Sequence, residues 1–425
     1  MKPYIKLGVI FLAILQIVCG CTSGSLEKET NETTEVNLQH KIVKTSYKGY
    51  FQQEIELSTY EPIEGAYLGA YVLANPEIDF DITQFEEAVG KNVAVALRHY
   101  KIGDPFPDKW LLECLSKKKA PYIVITPDTM SLPYDRDILE KTAQKFKDTY
   151  GIPVFIEFYP GAKEYGDPAK YRSYFQLAKE IFAEYAPNTA FVWSVEMEDI
   201  YDSMIYYPGD EYVDWIGISM YFPIYKNNEK YHVDIEEKLS YFYNMYKDTK
   251  PMMISKLAIS HYSKEDHTFY IEEARDIINQ IYSEIPVHYP RIKAINYIDI
   301  DNIKVAPQQM GRDNFRVSTE SKITNVYKEA INNPYYLEKV EETEKQKGTQ
   351  WVEMKTPIYI YDDILYILEE TILYDWKLNT TNYTQDKIKD CKKIIGGSEY
   401  YDLKKVVKTI GYKMNLNKDN IRVYK

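Results

Sequence analysis

Carboxylates gather just behind several short apolar runs of this chain. Glu196, Glu198 and Asp199 follow the run 190–195, Asp128 follows 122–126, and Asp299 and Asp301 close the run 294–299. Two carboxyl groups facing one pocket can divide acid and base work between them, and their separation decides which reaction they support. Taken singly, such residues are more often solvated loop residues or helix caps, so any pairing has to come from the fold. His99 and His261 also sit at the ends of apolar runs, yet neither has a second His at ligand spacing. Both therefore read as local hydrogen-bonding residues rather than metal ligands, and no metal or other cofactor is expected. Aromatic side chains crowd the same places: Tyr71, Tyr100, Tyr159, Trp193, Tyr221, Phe222, Tyr225 and Tyr297. Flat apolar faces beside hydrogen-bonding groups suit a binding rim. In a chain with 42 tyrosines, ordinary packing explains them equally well.

The composition limits the partners. A hydrophobic content of 45% supports a sizeable core, and 52 basic against 64 acidic residues give a net charge of −12. Nucleic-acid binding is excluded on that balance, because phosphate recognition needs a concentrated basic surface. Residues 1–20 have the form of a targeting segment, with Lys2 and Lys6 ahead of the apolar stretch 7–18, which is too short to span a bilayer as a mature helix. Val18-Cys19-Gly20-Cys21 follows, and a small residue directly before a Cys resembles a bacterial lipobox, although Cys19 is an unusual occupant of the middle position. The resemblance implies that Cys21 is acylated. The mature protein is then expected on the outer face of the cytoplasmic membrane of a Gram-positive bacterium, anchored by lipid, with 21–59 as a flexible polar tether. Cys114 and Cys391 lie far apart, which supports neither a disulfide framework nor a thiolate metal site.

The elements that must position these side chains repeat along the chain. Apolar runs recur at 65–71, 93–97, 122–126, 153–159, 190–195, 215–221, 252–259 and 294–299. Runs this apolar suit strands covered on both faces, as in parallel sheets flanked by helices. Amphipathic stretches at 136–150, 170–185, 235–246 and 270–283 are long enough to be crossover helices. Eight strand–helix repeats over about 60–337 fit the ~250 residues of a (β/α)8 TIM barrel, in which chemistry sits at the carboxyl ends of the strands. An open doubly wound sheet is disfavoured because no Gly-rich phosphate loop follows any strand. The predicted class is α/β, a (β/α)8 barrel followed by a charged connector (338–355) and a small α+β domain (356–425).

With the strands placed, the stretch 206–221, YYPGDEYVDWIGISMY, is similar to the sixth-strand signature of glycoside hydrolase family 26, the (β/α)8 β-mannanases and their relatives. Further matches are Gly65-Ala66-Tyr67-Leu68-Gly69-Ala70-Tyr71 at the first strand, Phe191-Val192-Trp193-Ser194 before the sixth, and Asn333-Pro334-Tyr335-Tyr336-Leu337 at the close. Retaining hydrolysis in this family uses two glutamates, an acid/base and a nucleophile, about 5 Å apart. The resemblance places the acid/base at Gly161 and the nucleophile at Lys256. A glycine delivers no proton, and a lysine cannot form and release a glycosyl ester. Glu157 stands where the family has Arg, so acid and base have exchanged places, and a Glu157–Lys256 ion pair across the mouth is expected; the alternative is that both snorkel separately to solvent.

Those substitutions imply a catalytically degenerate, glycosidase-type barrel that binds a polysaccharide or cell-wall glycan through Trp193, Tyr221, Tyr159, Tyr71 and Tyr297. Two alternatives stay open: an active, endo-acting β-mannanase-like hydrolase using relocated carboxylates, and a structural envelope protein with a vestigial cleft. The segment 400–424 resembles the stalk domain related to the amino-terminal module of copper amine oxidases, although nothing in it ligates copper.

Overall fold

The computed structural model describes residues 41–127, 132–147, 152–158, 163, 166–307, 310–341, 347–376 and 385–425. The leader, Cys21, most of the expected tether, Asp128, Tyr159 and Gly161 lie outside them. Eight strands form a closed parallel barrel: β1 (Ala66–Tyr71), β2 (Val95–Lys101), β3 (Ala120–Thr126), β4 (Val154–Phe158), β5 (Thr189–Glu196), β6 (Trp215–Phe222), β7 (Met252–Ile259) and β8 (Ile292–Ile298). Each pairs with its neighbour, and β8 returns to β1 through Ala294↔Tyr67 to Ile298↔Tyr71. The fold is the (β/α)8 barrel expected from the run spacing.

Among the described residues, seven helices of eight residues or more surround it: α1 (Ile82–Val89), α2 (Asp108–Ser116), α3 (Leu132–Lys147), α4 (Pro168–Tyr185), α5 (Ile235–Tyr246), α6 (Ile271–His288) and α7 (Ser321–Ile331). Their starts are written locally. Asp81, Asp167 and Asp234 accept hydrogen bonds from the free amides of the first turns of α1, α4 and α5. Behind β5 the expected repeat shortens, with two 3-10 turns, Met197–Asp199 and Ser203–Tyr206, connecting to β6.

Strand alternation divides the core into two layers. Tyr67, Leu97, Tyr122, Phe155, Val192, Trp215 and Met253 point into the barrel. Leu68, Ile123, Ile156, Phe191, Trp193, Ile218 and Ile254 point out against the helices. This double burial is why each strand reads as a continuous apolar run. Residues 59–61 plug the amino-terminal end: Trp215 Nε1 donates to Thr59 O at 2.7 Å, Tyr67 OH donates to Tyr60 O at 3.0 Å, and the buried Glu61 meets Arg291 at 3.2 Å.

The remainder is a strand-rich domain with its own core of Phe51, Ile358, Ile367, Trp376, Leu403, Val406, Ile421 and Val423. It corrects two expectations. The proposed tether 21–59 contains a nine-residue strand, Lys48–Glu56, and the proposed connector contains another, Lys347–Glu353. The two pair antiparallel, and Lys48–Glu56 also pairs parallel with Asn420–Tyr424, beside Lys413–Leu416. A half-buried strand alternates polar and apolar residues, and with only Gly49 and Phe51 buried on one face the pattern resembled a polar linker. A second sheet joins Val43–Lys44, Tyr359–Tyr361, Ile364–Ile367, Ser398–Asp402 and Lys392–Ile395. Among the described residues no helix is long and apolar enough to cross a membrane.

Candidate functional site

The site begins with a defect in β7. Along most of the strand, residues alternate: Met253 points in, Ile254 out, Leu257 out, Ala258 in. The register slips between Ile254 and Lys256 against β6 and between Ile254 and Leu257 against β8, so Ser255 and Lys256 both reach the interior. A β-bulge re-aims a side chain in this way. Ser255 Oγ meets Ser194 Oγ of β5 at 2.6 Å. Between them stands Gly217 of β6, where a Cβ would lie 2.8 Å from Ser194 Oγ and 3.0 Å from Ser255 Cβ.

Lys256 Nζ donates to Glu157 Oε1 of β4 at 2.5 Å, and both side chains are only 3% exposed. Tyr122 OH of β3 donates to the other carboxylate oxygen, Oε2. Burial, and then the Glu157 carboxylate, hold the Tyr122 phenol far above its usual range, so it stays a donor. Glu157 thus has both oxygens engaged beneath the barrel mouth.

Above the pair, two groups line the mouth. His99, at the end of β2, stands edge-on to Tyr71 at 5.5 Å. The surrounding protein, and then the Lys256 charge, lower its imidazole to about 4, leaving it neutral near pH 7. Glu196 ends β5 opposite Ser219 of β6 and is half-buried. Burial raises its carboxyl group above the ordinary range; Lys256 opposes that shift, and Glu157 adds to it. The other carboxylates are committed elsewhere. Glu198 binds Lys226 at 2.6 Å and Asp199 binds Lys163 at 2.5 Å, both in loops. Asp299 is fully buried and accepts from Asn75, Val317 N and Ser318, while Asp301 caps a short helical turn and meets Arg316 at 3.1 Å.

The aromatic residues divide by strand parity. Tyr71 and Tyr221 are half-buried at the mouth, Tyr221 standing edge-on to Phe315 at 6.2 Å. Trp193 and Tyr297 are corrected: both are 0% exposed and belong to the outer layer. Because Val192 and Ser194 point inward, Trp193 must point outward, where it packs against Tyr207 and Tyr246. Asn296 and Ile298 point inward, so Tyr297 points outward and donates to Phe315 O at 2.9 Å. Tyr100 and Phe222 are also buried in that layer, and Tyr225 is tied to Asp266 and Tyr270. His261 is fully buried and packs against Phe269 at 6.4 Å. Among the described residues, no group of His, Cys, Asp or Glu is arranged to hold a metal ion, and Cys114 and Cys391 are free and buried.

Sequence reading missed Tyr122, Ser194 and Ser255. A strand buried on both faces reads as apolar throughout, so the residue pattern on β3, β5 and β7 does not tell which residues face inward; Ser255 follows Met253 inward by alternation, and the bulge brings Lys256 in beside it. Asn296 of β8 was missed as well. It donates to Ile254 O at 3.3 Å, and its Oδ1 occupies the space that a Cβ on Gly69 would fill, 1.9 Å away.

Comparison with known proteins gives results consistent with this architecture. The sequence model of Glycosyl hydrolase family 26 matches residues 156–290. No curated protein sequence matches the chain significantly. Among solved structures, a GH26C protein from Muricauda sp. is similar over 66% of this chain and 90% of its own, at 11% identity and a TM-score of 0.50. The catalytic domain of a GH26 endo-β-1,4-mannanase from a Bacillus species is similar over 68% and 96%, at 11% identity and a TM-score of 0.47. A GH26 β-mannanase from Bacteroides ovatus is similar over 66% and 92%, at 9% identity and a TM-score of 0.43. At these identities the likeness is one of fold. This chain carries the family 26 sequence pattern from 156 to 290 on a closed (β/α)8 barrel, with Lys256 bound to Glu157 beneath the mouth.

Proposed function

We propose that the barrel mouth binds a polysaccharide without hydrolysing it. The observation that carries this reading is the Lys256–Glu157 pair with Tyr122 on the second carboxylate oxygen. It stands at the position where the resemblance puts a nucleophilic glutamate, and the acid/base position is Gly161. Tyr71 and Tyr221 supply aromatic surface at the rim, and sugar binding on such surface survives loss of the acids. The glycan is of the mannan or cell-wall type. The protein presents it from the outer face of the membrane of a Gram-positive cell, anchored through acylated Cys21. Loss of membrane retention in Cys21→Ala tests the anchor.

The test of binding is a long incubation of excess protein with mannan, glucan and cell-wall glycan, scoring both retention on the insoluble glycan and new reducing ends. Retention without new ends, weakened about tenfold by Tyr221→Ala or Tyr71→Ala, is the expected result. New reducing ends from the unaltered chain overturn it.

A second reading rests on Glu196. Burial raises its half-buried carboxyl group above the ordinary carboxylate range, against the opposing Lys256 charge, and a raised carboxyl group is what a general acid needs. Hydrolysis that disappears in Glu196→Gln would establish this reading in place of the first.

A further inference from the structure

A second concave surface lies at the opposite, amino-terminal end of the barrel, where the four-stranded sheet of the C-terminal domain faces it. The cleft between them measures about 510 Å³, within the range of small-molecule sites. One wall is the polar face of the sheet. Register places Trp351 beside Gln52, and Tyr50 beside both Glu353 and Arg422, all on one face, while Phe51 and Val423 point into the domain core. The Arg422 guanidinium lies over the Trp351 ring at 5.4 Å, and Tyr424 meets the ring's edge at 6.3 Å. The opposite wall is the barrel's underside, with Tyr243, Tyr289 and Tyr335.

The lining chemistry selects a ligand class. Five basic residues of the lining, Lys48, Lys247, Arg291, Lys293 and Arg422, face five acidic ones, Glu64, Glu236, Asp248, Glu284 and Glu353, so no excess charge favours an anion or a cation. The buried cations of the wall are already engaged: Arg291 with Glu61 and with Lys247 O at 2.6 Å, and Lys293 with Ile63 O at 3.2 Å. What the cleft offers a ligand is an oriented indole with phenol rings opposite, ringed by amide, hydroxyl and charged groups that both donate and accept. That combination suits a molecule with apolar C–H faces and a hydroxyl edge.

We infer that this cleft is a second glycan-binding site, taking a short segment of a neutral oligosaccharide with Trp351 as the stacking platform. It is independent of the mouth. Two sites at opposite ends of one barrel would let a single chain bridge two glycan strands.

Calorimetric titration of the full chain with mannohexaose, cellohexaose and the hexamer of N-acetylglucosamine tests the inference. Tryptophan emission, read in parallel, reports on the indole. At least one probe is expected to bind the Tyr71→Ala/Tyr221→Ala protein with unchanged affinity, and Trp351→Ala or Arg422→Ala is expected to weaken that binding by about tenfold or more. Trp351→Phe, which keeps an aromatic ring, should retain binding while losing the emission change, which separates a lost platform from a misfolded domain. Binding that is unaltered by Trp351→Ala, or absent for all three probes in the Tyr71→Ala/Tyr221→Ala protein, overturns the inference. Probe binding abolished by Trp351→Ala alone, with none left at the mouth, would instead count against the mouth reading.

Discussion

Each end of the barrel closes on a buried ion pair, and the two differ in what surrounds them. At the amino-terminal end, Arg291 and Glu61 are tied into backbone: Arg291 Nη1 donates to Lys247 O, and Glu61 Oε2 accepts from Ser58 N at 3.0 Å. That pair fastens the chain's entry segment to β8. At the carboxyl end, Lys256 and Glu157 are joined side chain to side chain, with Tyr122 as a third member, beneath a mouth lined by His99 and Glu196. Similar charge chemistry braces the chain in one place and lies beneath the open mouth in the other. A buried charge pair is therefore weak evidence of function until its neighbours are known.

The largest expected effects come from breaking these pairs. Lys256→Ala or Arg291→Ala leaves a carboxylate buried without its partner and should reduce stability by about 3–5 kcal/mol in denaturant unfolding. The double replacements should then diverge. Lys256→Met with Glu157→Leu removes both charges and should recover most of the loss, whereas Arg291→Met with Glu61→Leu also strands Lys247 O and Ser58 N and should not. Equal recovery at the two ends would erase the distinction.

A pH dependence comes next, and it belongs to the carboxyl end. Burial, and then the Arg316 charge, lower the His261 imidazole to about 4, against 6.5 for the free group. On acidification the unfolded chain takes up this proton first, so stability falls between pH 6.5 and pH 4 and the effect levels off below. The full contribution is roughly 3 kcal/mol. Unfolding measured across that window should show the slope in the native protein and a shallower one in His261→Gln. Identical slopes would mean that the imidazole does not titrate as described.

Smaller changes sharpen the picture of the interior beneath the mouth. Gly217→Ala pushes a methyl group against Ser194 and Ser255 and should reduce stability by about 1–3 kcal/mol. Glu198→Gln, in an exposed loop pair with Lys226, should change it by less than about 1 kcal/mol. A larger effect there would show that the loop behind β5 is part of the site's framework.

Much of the fold was legible because strand burial on both faces writes itself as apolar runs, and eight of them in order leave few topologies. The positions of Tyr71 and Tyr221 at strand ends were legible for the same reason, while Glu157 and Lys256 were singled out only by the resemblance. Trp193 and Tyr297 were misplaced because a doubly buried strand is apolar on both sides and gives no parity. Register against the neighbouring strands alone tells inward from outward. The strand Lys48–Glu56 was misread because its partners lie some 300 residues away, at 347–353 and 420–423.

The sequence by itself determined the strands and their order, since these depend on residue type and local pattern. Tertiary structure alone decided that the bulge in β7 brings Lys256 inward beside Ser255, that Tyr122 completes the Glu157 pair, and that an amino-terminal strand joins the C-terminal sheet to form a cleft under the barrel. Each of those is a contact between residues distant in the chain, fixed by strand register and packing rather than by any signal near the residues themselves.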